Sequence, residues 1–233
     1  MSEKCAAIIL AAGKGKRMNS DIAKQYLELD GKPVLYYSLN VFQKSFIDEI
    51  VVVAAEEDRE YVKEQIVVGY GISKVSQVVT GGKERYHSVM CGLRALNRCD
   101  YVFIHDGARP FVDDEILARA LDMARNKGTA VAAMPVKDTI KIIDDNGAAV
   151  QTPERSCVWQ MQTPQVFLYN EIYSAYESML KDEEELFKRG VKITDDAMVM
   201  EMYGKRKVYV SEGSYRNIKI TTPEDMEIAK ILL

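Results

Sequence analysis

A short segment near the start of the chain has the residue types that bind phosphate. Residues 10–18 read LAAGKGKRM, and Lys24 follows shortly afterwards. Glycines and small residues let backbone N–H groups approach an anion closely, and a nest of such groups binds phosphate without help from side chains. Four positive charges fall between residues 14 and 24 of a chain whose net charge is −4. The segment therefore predicts a phosphate-binding loop.

Two common phosphate motifs do not fit this segment. The Walker pattern GxxxxGK[ST] is absent, and a dinucleotide fingerprint needs a third glycine where Met18 stands. A kinase or dehydrogenase interpretation thus loses its main support. The glycine pair alone is also compatible with a purely structural turn, because glycine is common wherever φ is positive.

A carboxylate at the end of a predicted strand is the second candidate. Asp106 follows the apolar run 101–104, and open α/β sheets bind ligands at the carboxyl ends of their strands. One or two carboxylates together with substrate phosphates suit Mg²⁺. A lone aspartate after a strand is also common as a turn or cap, so its position alone leaves both interpretations open. We assign its neighbour His105 a structural role, since nothing adjacent gives it the role of a base.

Alternating sequence patterns predict the elements that position these residues. Short apolar runs predict strands, and segments with helical spacing lie between them. The predicted strands are 6–10, 49–54, 75–80, 101–104 and 129–134, and the predicted helices are 33–44, 58–67, 84–97 and 113–126. This succession predicts an α/β fold with a doubly wound, mostly parallel sheet and right-handed crossovers.

Residues 137–163 interrupt this alternation. Two strand-like segments, 139–143 and 148–152, flank an Asn146-Gly147 pair, which is a hairpin signal. We therefore predict a projecting β-hairpin arm over 137–163, within a single domain of residues 1–233. Such an arm usually covers a site or contacts a partner subunit. Beyond it the sequence predicts helices at 169–180 and from about 195, a charged stretch at 181–189, a strand at 207–211 and a final helix from 222.

Composition excludes several classes of protein. A chain of 233 residues with 47% hydrophobic content can bury the core of one domain. A net charge of −4 and a pI of about 5.4 give no electrostatic footprint for nucleic acid or for an anionic membrane. The four cysteines lack zinc-site spacing. The first apolar run is far shorter than the ~20 residues of a membrane span, and no cleavable signal pattern precedes it, so we expect a cytoplasmic protein.

Six segments together resemble a known enzyme family. Residues 10–18 with Lys24-Gln25 resemble the LAAGxGxRM signature of nucleotidyltransferases that activate sugars. Further segments resemble, in the same order, motifs of the 2-C-methyl-D-erythritol 4-phosphate cytidylyltransferases; they are residues 81–89, 105–111, 155–165, 194–197 and 217–225. The resemblance implies a Rossmann-like nucleotidyltransferase fold. It also implies an isoprenoid-precursor enzyme that transfers CMP from CTP to 2-C-methyl-D-erythritol 4-phosphate.

The resemblance also implies roles for individual residues. The cations that surround the triphosphate and the developing charge would be Arg17, Lys24 and Lys219. The residues that bind CTP would be Ala11, Ala12, Gly13, Gly15, Gly82, Arg85 and Ser88, with Gly82 and Ser88 at the cytosine and Arg85 supporting their loop. The residues that bind the acceptor would be Asp106, Arg109, Thr139, Arg155, Thr163 and Thr194. Asp106 would also hold Mg²⁺, and Thr139 and Arg155 of the arm would serve the other subunit of a homodimer.

The chemistry implied by the resemblance needs no general base. The acceptor is a phosphate monoester whose second pKa is about 6, so it arrives largely dianionic at neutral pH. An anionic nucleophile must then approach a polyanion in line, and catalysis depends on positioning and on neutralisation of charge.

Two departures from the family pattern and two alternatives remain open. Arg216 stands where some relatives have an acidic residue, which puts a second carboxylate for the metal in doubt, and Ala23 replaces a common proline. A ribitol 5-phosphate cytidylyltransferase would share several motifs, although Arg85 and Trp159 favour methylerythritol phosphate. A non-catalytic nucleotide sensor could keep the same fold.

Overall fold

A computed structural model describes residues 3–13 and 22–233. The strands within these residues are β1 Cys5–Ala11, β2 Glu28–Leu29, β3 Lys32–Pro33, β4 Glu49–Ala54, β5 Val75–Thr80, β6 Tyr101–Asp106, β7 Thr129–Pro135, β8 Ile142–Ile143, β9 Ala149–Gln151, β10 Trp159–Leu168 and β11 Val210–Glu212. The α-helices are α1 Val34–Lys44, α2 Arg59–Tyr61, α3 Arg85–Ala95, α4 Asp114–Lys127, α5 Tyr169–Lys181, α6 Glu183–Lys188, α7 Asp196–Tyr203 and α8 Pro223–Leu232.

In the part of the chain that the structure describes, the main sheet has seven strands in the order β11-β7-β10-β6-β1-β4-β5. Every neighbouring pair is parallel except those that involve β10, which runs antiparallel to both β6 and β7. The predicted doubly wound, mostly parallel sheet is therefore confirmed.

Helices cover both faces of this sheet. One hydrophobic cluster joins its strands to α1 and α4, for example through Phe42 and Leu117. A second cluster on the opposite face joins them to α3, α5 and α7 through side chains such as Leu93 and Tyr176. Burial on both faces explains why β4 and β6 read as continuous runs of buried residues rather than as alternating ones. None of the helices in residues 3–13 and 22–233 is long and apolar enough to cross a membrane.

Helix ends follow local capping signals. The Asp113 side chain accepts a hydrogen bond from the Ile116 N–H at 2.8 Å and starts α4, and Gly128 at φ 83° ends it. Thr222 and Asp225 form a capping box at the start of α8, with Pro223 in the first turn. Both starts lie close to where the sequence predicts them.

The arm is the segment where the predicted boundary needs correction. Residues 159–163 were expected to belong to the arm, whereas they begin β10, which pairs with β7 in the main sheet. The first three residues of this strand, Trp159, Gln160 and Met161, are exposed, and buried polar residues follow them, so the sequence there does not look like a buried apolar strand. The part outside the sheet contains the hairpin of β8 and β9, which pair antiparallel across a turn that ends at Gly147.

Two stretches of helix also differ from the prediction. Residues 62–68 form a π-helical segment that continues α2. The charged stretch 181–189 contains α6, because Leu186 packs into the core and Glu183 accepts a hydrogen bond from the Tyr86 hydroxyl at 2.7 Å. Tertiary contacts rather than local sequence therefore stabilise this short helix.

Close packing of α3 on the sheet gives a test of the core. A Cβ atom on Gly92 would lie 2.6 Å from Cγ2 of Ile8 and 3.1 Å from Cγ2 of Val53. We expect Gly92→Val to lower the free energy of unfolding by about 2 kcal/mol or more through overpacking, as measured by urea denaturation. Arg94→Val, at an exposed position of the same helix, controls for helix propensity. Equal stability of the two variants would contradict the close contact.

Candidate active site

The carboxyl ends of the parallel strands β1, β4, β5 and β6 border one cleft of about 710 Å³. Eight of the sixteen site residues singled out from the sequence line this cleft in the described part of the chain. The lining includes Ala12, Gly13, Lys24, Gly82, Arg85, Ser88, Asp106 and Lys219. Gly15 and Arg17 lie outside the described residues. The cleft thus joins the predicted phosphate loop to the predicted base loop and to the predicted metal ligand.

Side chains from residues 25 and 26 hold the end of β1, where the first loop begins. The Ala11 carbonyl accepts hydrogen bonds from Nε2 of Gln25 at 2.6 Å and from the Tyr26 hydroxyl at 3.2 Å. Gln25 and Tyr26 belong to the short 3₁₀ turn that begins at Lys24. These bonds therefore tie Lys24 to the end of β1, where Ala12 and Gly13 face the cleft.

The second loop, between β5 and α3, leaves little room for any side chain. The Gly82 N–H donates to the Ser88 hydroxyl at 3.1 Å, and that hydroxyl donates to the Glu84 carbonyl at 3.2 Å. A Cβ atom on Gly82 would lie 2.3 Å from Cβ of His87, and one on Gly81 would lie 2.6 Å from Cβ of Ala12. The two loops are therefore in close contact and form a narrow wall of backbone groups.

Asp106 lies at the end of the central strand β6 among three cations. Its carboxylate is 2.7 Å from Nζ of Lys219, 3.5 Å from Nε of Arg85 and 3.9 Å from Nε of Arg109. Burial opposes ionisation of this group, but the charges of Lys219, Arg85 and Arg109 outweigh it and hold the pKa of Asp106 well below its usual range. The carboxylate is therefore ionised at every pH at which the fold is expected to work.

Arg85 makes contacts beyond the loop that it was predicted to support. Its guanidinium binds Asp196 through two hydrogen bonds of 2.8 Å and 2.7 Å, while its Nε faces Asp106. The Tyr176 hydroxyl donates a third bond to Asp196, at 2.5 Å. Asp196 is fully buried at the start of α7, so Arg85 joins that helix to the cleft. Asp196 lies in the motif 194–197, which by itself assigns it no role, and Tyr176 has no signal of its own in the sequence.

Asn217 joins Arg109 to Thr163 and stands close to Lys219 in the sequence. The Arg109 guanidinium donates to the Asn217 carbonyl at 2.7 Å, and the Asn217 side chain donates to the Thr163 carbonyl at 2.9 Å. Asn217 is fully buried and stands two residues before Lys219. Its place in the motif 217–225 is the one signal for it in the sequence, and that signal assigns it no role.

The remaining acceptor residues are exposed in the single chain. Thr139 and Arg155 both lie in the arm, and neither is among the residues of this chain that line the cleft. Thr194 lines a neighbouring cleft of about 820 Å³, which shares Lys83 and Glu84 with the first. The structure thus brings Asp106, Arg109 and Thr163 together but leaves Thr139 and Arg155 apart from them.

Comparison with known proteins gives a consistent result. Residues 5–233 match the family described as IspD, 2-C-methyl-D-erythritol 4-phosphate cytidylyltransferase. A protein of that name from Lachnospira eligens is 48% identical over 97% of this chain and 98% of its own length. A protein of the same name from Clostridium botulinum is 48% identical over 99% of this chain and 97% of its own length. The crystal structure of 4-diphosphocytidyl-2C-methyl-D-erythritol synthase from Anaerococcus prevotii superposes with a TM-score of 0.85 at 36% identity, covering 98% of this chain and 95% of that one.

The buried Arg85–Asp196 pair gives a test of what holds the site together. Asp196→Asn removes the charge that compensates Arg85, and breaking a buried pair from one side usually costs about 3–5 kcal/mol. We expect a loss of this size in the free energy of unfolding, measured by urea denaturation. Glu201→Gln, at an exposed position of the same helix, is the matched control. If Asp196→Asn unfolds at the same urea concentration as the control, the pair does not stabilise the fold.

Proposed function

The chain belongs to the 2-C-methyl-D-erythritol 4-phosphate cytidylyltransferase family, and on this premise we propose that it transfers CMP from CTP to 2-C-methyl-D-erythritol 4-phosphate. The products are 4-diphosphocytidyl-2-C-methyl-D-erythritol and pyrophosphate. One observation carries the proposal: Lys219 and Asp106 meet, 2.7 Å apart, in the cleft that Gly82 and Ser88 also line. Fixed charges thus stand beside a wall of backbone groups that can read a base.

We place the nucleotide across the two loops. Gly82 and Ser88 border the space for cytosine, and the narrow contact between their loop and Ala12 favours a pyrimidine over a purine. Ala11, Ala12, Gly13 and Lys24 lie at or beside the phosphates, because the backbone here leaves β1 at the cleft. Gly15 and Arg17 are given the same role from the motif alone.

The acceptor phosphate approaches from the side of Asp106. The charge of Arg85 is compensated by Asp196. The two positive charges of Lys219 and Arg109 exceed the one negative charge of Asp106, so one net positive charge remains to attract a polyanion. An ammonium group has three N–H donors, and after the bond to Asp106 Lys219 keeps two for phosphate oxygens. This arrangement neutralises charge as the dianionic acceptor attacks the α-phosphorus and pyrophosphate leaves.

Magnesium fits this site through the carboxylate of Asp106. Asp106 offers an ionised oxygen, which is the ligand type that Mg²⁺ prefers. Within residues 3–13 and 22–233 no group of three or more His, Cys, Asp or Glu side chains could hold a metal, so CTP phosphates would have to complete the coordination. When bound, Mg²⁺ supplies charge neutralisation on the phosphate oxygens. Arg216 donates to the Leu232 carbonyl at 2.5 Å and supplies no carboxylate.

We propose a homodimer in which the arm completes the site of the other subunit. Ile143 and Val150 of the arm are 61% and 62% exposed in the single chain, and a lone two-stranded hairpin is marginally stable in water. A second copy of the chain would cover these side chains. Thr139 and Arg155, which stand apart from the cleft of their own chain, would then bind the acceptor phosphate of the partner.

A turnover assay tests the reaction. We expect release of pyrophosphate from CTP with 2-C-methyl-D-erythritol 4-phosphate, little release with UTP, and loss of turnover when EDTA removes Mg²⁺. Faster release with ribitol 5-phosphate would favour the ribitol enzyme instead. Binding of CTP without turnover on either acceptor would favour a nucleotide sensor. Turnover that survives EDTA would contradict the role of Asp106 as a metal ligand.

Subunit complementation tests the role of the arm. We expect Lys219→Ala and Arg155→Ala each to lower turnover by at least about a hundredfold with the fold intact, as loss of an important electrostatic group does. Refolding the two variants together should restore about a quarter of the wild-type turnover, because half of the dimers then hold one complete site. If Arg155 serves its own subunit, no mixed dimer holds a complete site and the mixture stays inactive.

A further inference from the structure

His105 lies next to Asp106 but faces the interior of the protein. Its side chain is fully buried, and its ring packs against Phe42 of α1 with the ring centroids 5.2 Å apart. Both ring nitrogens have polar neighbours. Nδ1 is 3.0 Å from the Thr163 hydroxyl oxygen, and Nε2 is 3.2 Å from the Arg109 carbonyl oxygen. A buried imidazole thus stands between two residues proposed to handle the acceptor.

The protons on these groups follow from what each neighbour can do. A backbone carbonyl only accepts, so Nε2 must carry the proton that points at Arg109. With its proton on Nε2, the ring offers Nδ1 as an acceptor to the Thr163 hydroxyl, 3.0 Å away. The Thr163 hydroxyl therefore donates to Nδ1. The Thr163 oxygen in turn accepts the Asp106 N–H at 3.1 Å.

This chain of hydrogen bonds uses the hydroxyl proton of Thr163. An acceptor phosphate dianion offers oxygen atoms that accept, so the Thr163 hydroxyl could donate to it only by leaving His105. Thr163 is itself 3% exposed. While it donates to His105, the hydroxyl holds the backbone of Asp106 and cannot also donate to the acceptor phosphate.

We propose that His105 is a positioning residue for the acceptor: it orients the Thr163 hydroxyl toward the Asp106 amide and anchors the Arg109 carbonyl. Through these contacts it sets where the Asp106 carboxylate and the Arg109 guanidinium face the incoming phosphate. The inference rests on the proposed function, and it changes the role of Thr163 from a direct ligand to a support of Asp106.

A double-mutant cycle on acceptor binding tests this arrangement. His105→Phe keeps a ring against Phe42 but removes both nitrogens, and Thr163→Val removes the hydroxyl at nearly constant shape. We expect each to raise the KM for the acceptor about tenfold, the scale of one or two lost hydrogen bonds, with the KM for CTP unchanged. The acceptor KM of the double variant should be no more than about twofold above that of His105→Phe, because both changes break the same chain of hydrogen bonds.

Conservative variants separate positioning from general damage to the fold. His105→Asn keeps an acceptor near the Nδ1 position and should recover most of the acceptor affinity, and Thr163→Ser should behave like wild type. Additive losses in the cycle would mean that Thr163 binds the substrate directly and would overturn the proposal. An unchanged acceptor KM in His105→Phe would overturn it as well. In that case, turnover by the unaltered enzyme in the same assay would still support the proposed function.

The tautomer of His105 can be measured without any activity. The chain has two histidines, His87 and His105. The His87→Gln variant removes the signals of His87, so the histidine signals that remain in a ¹⁵N-edited NMR spectrum belong to His105. We expect the neutral ring with its proton on Nε2 in the wild type. A ring protonated on Nδ1 would reverse the direction of the Thr163 bond and overturn the proposal, whether or not the enzyme turns over.

Discussion

The arrangement of the site depends on keeping the buried carboxylate of Asp106 ionised. A charge removed from water is tolerated only when other charges and hydrogen bonds compensate for it. Here Lys219, Arg85 and Arg109 supply the charges. Arg85 is itself part-buried and needs Asp196, whose carboxylate also accepts the Tyr176 hydroxyl. One carboxylate at a strand end thus fixes the relative placement of α3, α5, α7 and the segment before α8.

The same charges explain how phosphate chemistry can proceed here without a protein base. A dianionic phosphate needs no deprotonation, so the demand on the protein is geometric and electrostatic. Charge attraction falls slowly with distance and does not by itself hold atoms in one geometry, whereas neutral hydrogen bonds are short and directional. Two such bonds lie beside Arg109 and Asp106: the Asn217 side chain donates to the Thr163 carbonyl, and the Thr163 hydroxyl accepts the Asp106 N–H. Attraction and alignment are therefore provided by different residues.

Much of the fold could be predicted because its signals are local. Strands β4 and β5 match the predicted 49–54 and 75–80, since apolar runs between helical segments are typical of a parallel sheet. Open α/β sheets bind ligands at the carboxyl ends of their strands. In agreement with this rule, one cleft at those ends is lined by Gly82, Asp106 and Lys219. The pairing of Arg85 with Asp196 spans 111 positions and could not be foreseen without the fold. No strand was predicted over β10, whose first residues are exposed and follow no apolar pattern.

The proposed dimer would make assembly and activity a single event. The arm hairpin leaves Ile142, Ile143 and Val150 exposed and has no face buried on its own chain. A second subunit that covers these side chains would also receive Thr139 and Arg155 at its cleft. Because the interface and the site would then share one segment, dilution that separates the subunits would remove acceptor-binding groups at the same time. The CTP loops, which lie within one chain, would keep their geometry, so loss of the partner should weaken acceptor binding more than nucleotide binding.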